Sequence, residues 1–246
     1  MIFVIVLIIT AVRIKSMDSH RISGRILAEN IAGPGMLRLV EQSMQAWARK
    51  TSVTEIAVKE RKHPQAALTF DDGPDIRYTP LLLDGLKERN VRVSFFLLGE
   101  KVEQYPELVE RMQKEGHLVG NHTYHHVQLN KLNETKAREE ILKTNNLIYE
   151  TTGVYPLYLR PPFGAWKKNL ELCVEMLPVF WTIDTLDWKV QNTEKIVRTV
   201  QEQIEDGAII LMHDEYDTSV EAALQVVDEL KNQGYELVTV DQLILP

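Results

Sequence analysis

The sequence predicts an α/β fold organised on a mainly parallel sheet, and three observations carry that prediction. Short apolar runs at 66–70, 91–98, 117–120, 157–160, 179–183, 208–212 and 236–240 have the length and punctuation of buried strands. Between most of them lie stretches with helical spacing of apolar residues, and about seven strands alternating with helices imply parallel pairing. Chemically capable side chains gather at the carboxyl ends of these runs: Asp71 and Asp72 after the first, His122 to His126 after the third, Arg160 ending the fourth, Asp184 to Trp188 after the fifth and His213 after the sixth. In a parallel sheet this is the face where sites are built. The sheet is either open and doubly wound or closed; contributions from so many strands to one place favour a closed or nearly closed barrel.

The chain opens on an apolar run, Met1 to Val12, followed by Arg13 and Lys15. A bilayer span needs about 20 such residues, so the run suits the apolar region of an export signal better. Basic residues before it and a small-residue cleavage site after it are both missing. Residues 1–15 are therefore a signal or a weak membrane anchor, with a buried first strand or helix as the alternative. Residues 16–64 read as a linker with a helix at Leu37, Val40, Met44 and Trp47. The main domain spans 65–246.

Within it the helices are marked by their ends. Thr79-Pro80 opens one as cap and first-turn proline; Pro106 opens the next and Gly116 closes it; Asn133 begins a third with Gly153 just beyond its end. Thr193 precedes a stripe of Ile196, Val197, Val200 and Ile204 that Gly207 ends. Ser219 precedes Ala223, Val226, Val227 and Leu230, ended by Gly234. These stripes are core faces.

Composition excludes several classes. A net charge of -7 argues against an electrostatic grip on nucleic acid or anionic membranes. The single cysteine, Cys173, rules out an intrachain disulfide framework and a Cys-rich zinc site, and its apolar context predicts burial.

The first run stops at two adjacent carboxylates and a Gly73-Pro74 turn. Neighbours on a strand point to opposite sides, so Asp71 and Asp72 have different jobs unless the backbone turns just there. His122 and His126 stand four apart; on a helix they share a face and reach one metal, while His125 lies on another face. A pair of this kind is equally at home as surface or core histidines. With Asp72 it makes three ligands with open positions, the pattern of a catalytic site, although non-haem iron oxygenases use the same ligand types. A hydrolytic site also needs a base and an acid, for which Asp71 and His213 are available. An oxygenase needs a co-substrate site, and no candidate for one is visible.

The stretches Thr69-Phe-Asp-Asp-Gly-Pro74, His122-Thr-Tyr-His-His126, Arg160-Pro-Pro-Phe-Gly164, Asp184-Thr-Leu-Asp-Trp188 and Leu211-Met-His-Asp214 resemble, in order, the five signature motifs of the NodB-type polysaccharide deacetylases, the carbohydrate esterase family 4 enzymes. The resemblance covers about 65–243. It implies a distorted (β/α)7 TIM-like barrel that removes acetyl groups from N-acetylated sugars with a divalent metal, usually Zn²⁺, with Co²⁺ or another divalent ion as alternatives. Carried over by position, it implies Asp72, His122 and His126 as metal ligands, Asp71 as general base oriented and held ionised by Arg160, and His213 as general acid with Asp187 raising its pKa. Trp188 and Leu211 become walls of the acetyl pocket, and the Phe163 backbone N–H an oxyanion donor. Phe163 stands where the family often has Tyr; Asp184 and Asp214 take supporting roles. The expected substrate is an N-acetylglucosamine-containing glycan outside the cytoplasm, either peptidoglycan or a chitin-like oligosaccharide, with membrane attachment through residues 1–12 possible. An O-acetyl xylan esterase and an inactive glycan-binding surface protein are the competing expectations.

Overall fold

In the computed structural model, residues 62–166, 174 and 176–244 are described. The expected apolar N-terminal segment, the helix around residues 37–47 and Cys173 lie outside them. Among the described residues eight strands form one sheet: β1 Gln65–Asp71, β2 Ser94–Leu97, β3 Leu118–Asn121, β4 Tyr158–Leu159, β5 Leu177–Pro178, β6 Ile183–Asp184, β7 Ala208–His213 and β8 Glu236–Leu237. Their order is β5-β4-β3-β2-β1-β7-β6, with β8 against the start of β1, and every pairing is parallel. This is the curled sheet of the expected distorted (β/α)7 barrel. The helices are α1 Tyr78–Glu88, α2 Gly99–Gln104, α3 Pro106–Lys114, α4 Glu134–Thr152, α5 Asp187–Val190, α6 Thr193–Gln203, α7 Asp217–Asn232 and α8 Val240–Ile244.

The two-residue period of the strands divides the interior into two layers. Ala66, Leu68 and Phe70 of β1, Phe95 and Leu97 of β2 and Ala208, Ile210 and Met212 of β7 face the helices. There they pack with Leu82, Leu83 and Leu86 of α1 and Val226, Val227 and Leu230 of α7. Each of the larger side chains among them, from valine to phenylalanine, contributes roughly 1.5–3 kcal/mol on burial. The alternate residues face inward: Ala67 and Phe96 meet Tyr158, Val179 and Val240. Thr69 and Asp71 share the parity of Ala67, and Leu211 and His213 share that of Ile209.

The apolar run 179–183 does not form one strand. Leu177 and Pro178 pair with β4, whereas Ile183 and Asp184 pair with β7. Residues 179–182 cross from one edge of the sheet to the other, a reach of at most roughly 18 Å, so covalent chain replaces a hydrogen-bonded ladder at that seam. The run 236–240 is likewise cut to two strand residues, because Val240 begins α8. The runs 91–98 and 157–160 hold shorter strands than their apolar lengths imply.

The Asn133 cap and the left-handed Gly153 end of α4 are as expected, as is Pro106 in the first turn of α3. The cap of α6 is Asn192, whose side chain accepts from Lys195 N, rather than Thr193. Ser219 is buried inside α7, which starts earlier at Asp217. Thr79 does not cap α1. Asp75 accepts from Arg77 N and Tyr78 N at 2.8 and 3.1 Å, freeing the Thr79 hydroxyl to donate to buried Asp214.

Gly120 of β3 is required by close approach. A Cβ there would sit 2.7 Å from the Phe96 ring and 3.0 Å from the Tyr158 carbonyl oxygen. The Phe96 ring is pinned beneath a guanidinium at 4.3 Å, and the carbonyl belongs to the sheet. Gly120→Ala is therefore expected to destabilise the fold by about 1–3 kcal/mol through overpacking, read as a lower urea midpoint with unchanged slope.

Candidate active site

Strand register brings the first two groups together. Asp71 and His213 are direct partners across β1 and β7, and both face inward at the carboxyl end of the sheet. Arg160, leaving β4, enters from the other side and is fully buried. Its Nη1 donates to Thr69 Oγ1 at 2.7 Å and to Asp71 Oδ1 at 2.8 Å, and its guanidinium lies over Phe96. Thr69 in turn donates to the Ile210 carbonyl at 2.7 Å. Thr69 carries no functional signal of its own in the sequence beyond its shared parity with Asp71 on one strand, which places it here.

The backbone does turn between the two carboxylates. Asp72 has φ 68°, a left-handed conformation that an L-residue adopts at a cost. The turn swings its carboxylate round to the inward side, so Asp71 and Asp72 face one space. Asp72 Oδ1 lies 3.4 Å from both His122 Nε2 and His126 Nε2, and its Oδ2 lies 3.8 Å from His213 Nε2. Asp71 Oδ2 lies 3.8 Å from His122 Nε2.

His122 and His126 do not share a helix face. Residues 122–127 form an irregular loop, and the ring centroids come within 5.1 Å because Thr123 and His126 are left-handed, at φ 67° and 54°. A four-residue spacing on a helix and this double reversal give the same proximity, so spacing alone does not tell them apart. Asn121 supports the loop: its Oδ1 accepts from Thr123 N at 2.6 Å, and its Nδ2 donates to Ile141 O and Asn145 Oδ1 on α4. Glu140, also on α4, accepts from two further loop amides. The Asn121 support is local, a side chain taking the amide two residues on, whereas Glu140 reaches across from another helix and leaves no local pattern in the sequence.

Protonation states differ by environment. His122 Nδ1 faces the Arg160 carbonyl oxygen at 2.7 Å, an acceptor only, so Nδ1 carries the proton and Nε2 presents a lone pair. Burial, only partly offset by the Asp72 charge, pulls its pKa down to about 3. His213 is opposite. Burial pulls down, but the hydrogen bond from Nδ1 to Asp187 Oδ1 at 2.8 Å, with the charges of Asp187, Asp71 and Asp72, raises its pKa to about 9. Asp187 is fully buried and also accepts from His213 N at 2.8 Å. At Asp71 the Arg160 guanidinium lowers the pKa, as expected, but burial is the larger influence and the net direction is up. Asp214, buried against Thr79 and the Gly73 turn, is pushed by burial up to about 7.

The mouth is apolar. Phe163, left-handed at φ 60°, sets its exposed ring 4.5 Å from that of His126. Trp188 on α5 is half exposed, while Leu211 is buried on β7 two residues before His213. The short α5 is entered through left-handed Leu186, whose N–H donates to Asp184 Oδ1 at 3.0 Å.

Asp72, His122 and His126 fit a divalent cation. One donor atom from each lies within 4.8 Å of the others, and buried Asp72 Oδ1 has no hydrogen-bond partner. Imidazole nitrogen and carboxylate oxygen are the donor types of zinc and related ions, and three protein ligands leave positions open.

A family profile for polysaccharide deacetylase matches residues 58–180. The peptidoglycan-N-acetylglucosamine deacetylase PgdA of Listeria monocytogenes is 42% identical over 185 residues, 75% of this chain and 40% of that protein. The chain thus spans well under half the length of that relative. A peptidoglycan-N-acetylglucosamine deacetylase of Bacillus cereus is 40% identical over 73% of this chain and 68% of its own length. The solved structure of the peptidoglycan deacetylase PdaC from Bacillus subtilis superposes with a TM-score of 0.72 at 42% identity, covering 74% of this chain and 91% of that one.

Two outcomes follow from the electrostatics. Arg160→Met leaves the Asp71 carboxylate buried and unpaired, which costs about 3–5 kcal/mol. With the folded pKa of Asp71 above its unfolded value, the contribution of this group to stability is greatest below the unfolded pKa and is lost as pH rises through the folded pKa. The penalty of Arg160→Met, measured by denaturant unfolding, therefore shrinks as pH is lowered. In metal-free protein followed by NMR, Asp187→Asn brings the His213 pKa down from about 9 toward the ordinary 6.5.

Proposed function

We propose, from the premise that this chain belongs to the polysaccharide deacetylase family, that it hydrolyses the N-acetyl amide of amino sugars in peptidoglycan, with Zn²⁺ as its cation. The observation that carries this reading is the convergence of three cation donors, Asp72, His122 and His126, with the buried carboxylate of Asp71 and the imidazole of His213, partners across β1 and β7, close beside them.

A divalent cation held by those three residues supplies Lewis acidity, polarising an amide carbonyl and easing deprotonation of water. The protein supplies the rest. Asp71 has one oxygen committed to Arg160, so its other oxygen, Oδ2, takes the proton of the attacking water. Its raised pKa suits it to that task, since a base is effective when its pKa lies nearer the working pH. The Arg160 clamp fixes the carboxylate and leaves only one oxygen to react. His213 enters protonated and gives its Nε2 proton to the departing amine nitrogen, which is a poor leaving group without it. Asp187 holds that imidazolium by its other nitrogen, orienting the ring while raising its pKa. The Phe163 N–H helps hold the oxyanion, and Leu211 and Trp188 wall the acetyl methyl.

Peptidoglycan is chosen as substrate because the relatives from Listeria and Bacillus carry that substrate in their names. Such a substrate puts the site of action outside the cytoplasm. The exposed apolar mouth, with Phe163 and Trp188, suits the faces of sugar rings.

Acetate release by the full chain from peptidoglycan, chitin oligomers and acetylated xylan tests the proposal. Release from peptidoglycan is expected, lost with chelator, restored by Zn²⁺ and absent in Asp72→Ala. His213→Ala is expected to lower kcat by about 10²–10⁴-fold. Release indifferent to chelator rejects the cation; release from xylan alone makes the protein an O-acetyl esterase; none from folded, Zn²⁺-loaded protein leaves the glycan-binding reading.

A further inference from the structure

The loop that carries His122 and His126 has no regular secondary structure, so its backbone groups must find partners individually. Leu97 O accepts from His122 N at 2.9 Å, and Asn121 Oδ1 accepts from Thr123 N. The first amides of α2, Gly99 N and Glu100 N, donate to the carbonyls of Thr123 and Tyr124 at 2.9 and 3.3 Å. Val127 N donates to Thr123 Oγ1 at 3.3 Å, and at the crest of the loop stand the amides of Tyr124 and His125. Both donate to one oxygen, Glu140 Oε2, at 3.0 and 2.9 Å, while Glu140 Oε1 meets His125 Nδ1 at 2.8 Å.

These two amides sit between the two left-handed residues, Thr123 and His126. An L-residue holds that conformation only where its surroundings compel it. The Glu140 carboxylate is the tie at that point, and it comes from α4, which is anchored independently by Ala137 and Ile141 in one apolar cluster and Ile148 in another. Lys143, one turn on, adds its ammonium over the Tyr124 ring, and the Tyr124 hydroxyl donates to Glu103. Removing the Glu140 side chain leaves α4 packed and frees the crest of the loop.

We infer that Glu140 is a positioning residue for cation binding: by gathering the Tyr124 and His125 amides it fixes the reversal that points His122 and His126 at one centre. This rests on the reading of Asp72, His122 and His126 as the cation's donors. The tie works through reach and acceptor geometry rather than through net charge. A glutamine of equal length can put its carbonyl oxygen on both amides and its NH₂ toward His125 Nδ1. An aspartate keeps the charge but withdraws the oxygens by one methylene.

The test is Zn²⁺ affinity of the full chain, by competition against a chromophoric chelator, for the wild type, Glu140→Ala, Glu140→Asp, Glu140→Gln and Asp72→Ala, with the thermal midpoint of each metal-free protein. Expected are losses of about 10–100-fold for the alanine and aspartate variants, the size typical of groups supporting metal ligands. Affinity within about threefold of wild type is expected for the glutamine variant, the difference between effects being the rescue. Wild-type affinity in a folded Glu140→Ala overturns the inference, as does retention by Glu140→Asp with loss in Glu140→Gln. If the alanine variant does not fold, the aspartate and glutamine pair decides. Zn²⁺ binding in the wild type that Asp72→Ala leaves unchanged overturns the donor assignment itself, a failure distinct from that of Glu140.

Discussion

Arg160 is wholly buried, and a buried guanidinium costs several kcal/mol unless paired and hydrogen-bonded. Thr69 and Asp71 take its Nη1, Phe96 takes its face, and the Phe180 carbonyl lies 3.4 Å from Nη2. These partners come from β1, β2 and the crossing 179–182, so the ion pair ties together the seam where the barrel has no ladder. Its consequence for chemistry is geometric. One Asp71 oxygen is committed to structure, and the other is left facing His122.

Around that fixed carboxylate the backbone repeatedly leaves its ordinary conformations. Five of the seven described non-glycine residues with positive φ are at the site: Asp72, Thr123, His126, Phe163 and Leu186. Strands deliver alternate side chains to opposite faces and to parallel columns, whereas a reaction centre needs side chains from several columns to meet at a point. A left-handed residue just beyond a strand end reverses the chain and makes that meeting possible. The cost, of order 1–3 kcal/mol at each position, is offset by the groups that hold the reversals: Asn121 and Glu140 on the histidine loop and Asp184 before α5. Strain and function coincide here because convergence demands both.

This also explains what could be read in the sequence. The alternation of strands and helices, the inward column of β1 and the gathering of chemistry at strand ends are local and periodic, and they stand in the structure. The metal-capable trio Asp72, His122 and His126 is brought together as the motif resemblance implies. What could not be read depends on distant partners. The run 179–183 is apolar enough for a strand, but its two ends are claimed by different edges of the sheet. Thr79 and Ser219 have the chemistry of caps, yet Thr79 is taken by Asp214, 135 residues away. The sign of the Asp71 shift turns on how deeply Arg160 and Asp71 are buried together, which residue types do not reveal.

The two imidazoles nearest the carboxylates show how far environment outweighs identity. His122 and His213 are both largely buried and both face Asp72, at 3.4 and 3.8 Å. Burial presses each toward the neutral form, yet one pKa falls to about 3 and the other rises to about 9. The difference lies behind the ring: a backbone carbonyl holds His122 Nδ1, whereas the fully buried carboxylate of Asp187 holds His213 Nδ1. The carbonyl fixes the tautomer and favours positive charge too little to offset burial and the His126 and Arg160 charges, leaving Nε2 as a lone pair for a cation. A carboxylate does both, leaving Nε2 with a proton to give. In the proposed hydrolysis these are the two properties required, and the fold obtains them from the same side chain by changing what stands behind it and which charges surround it.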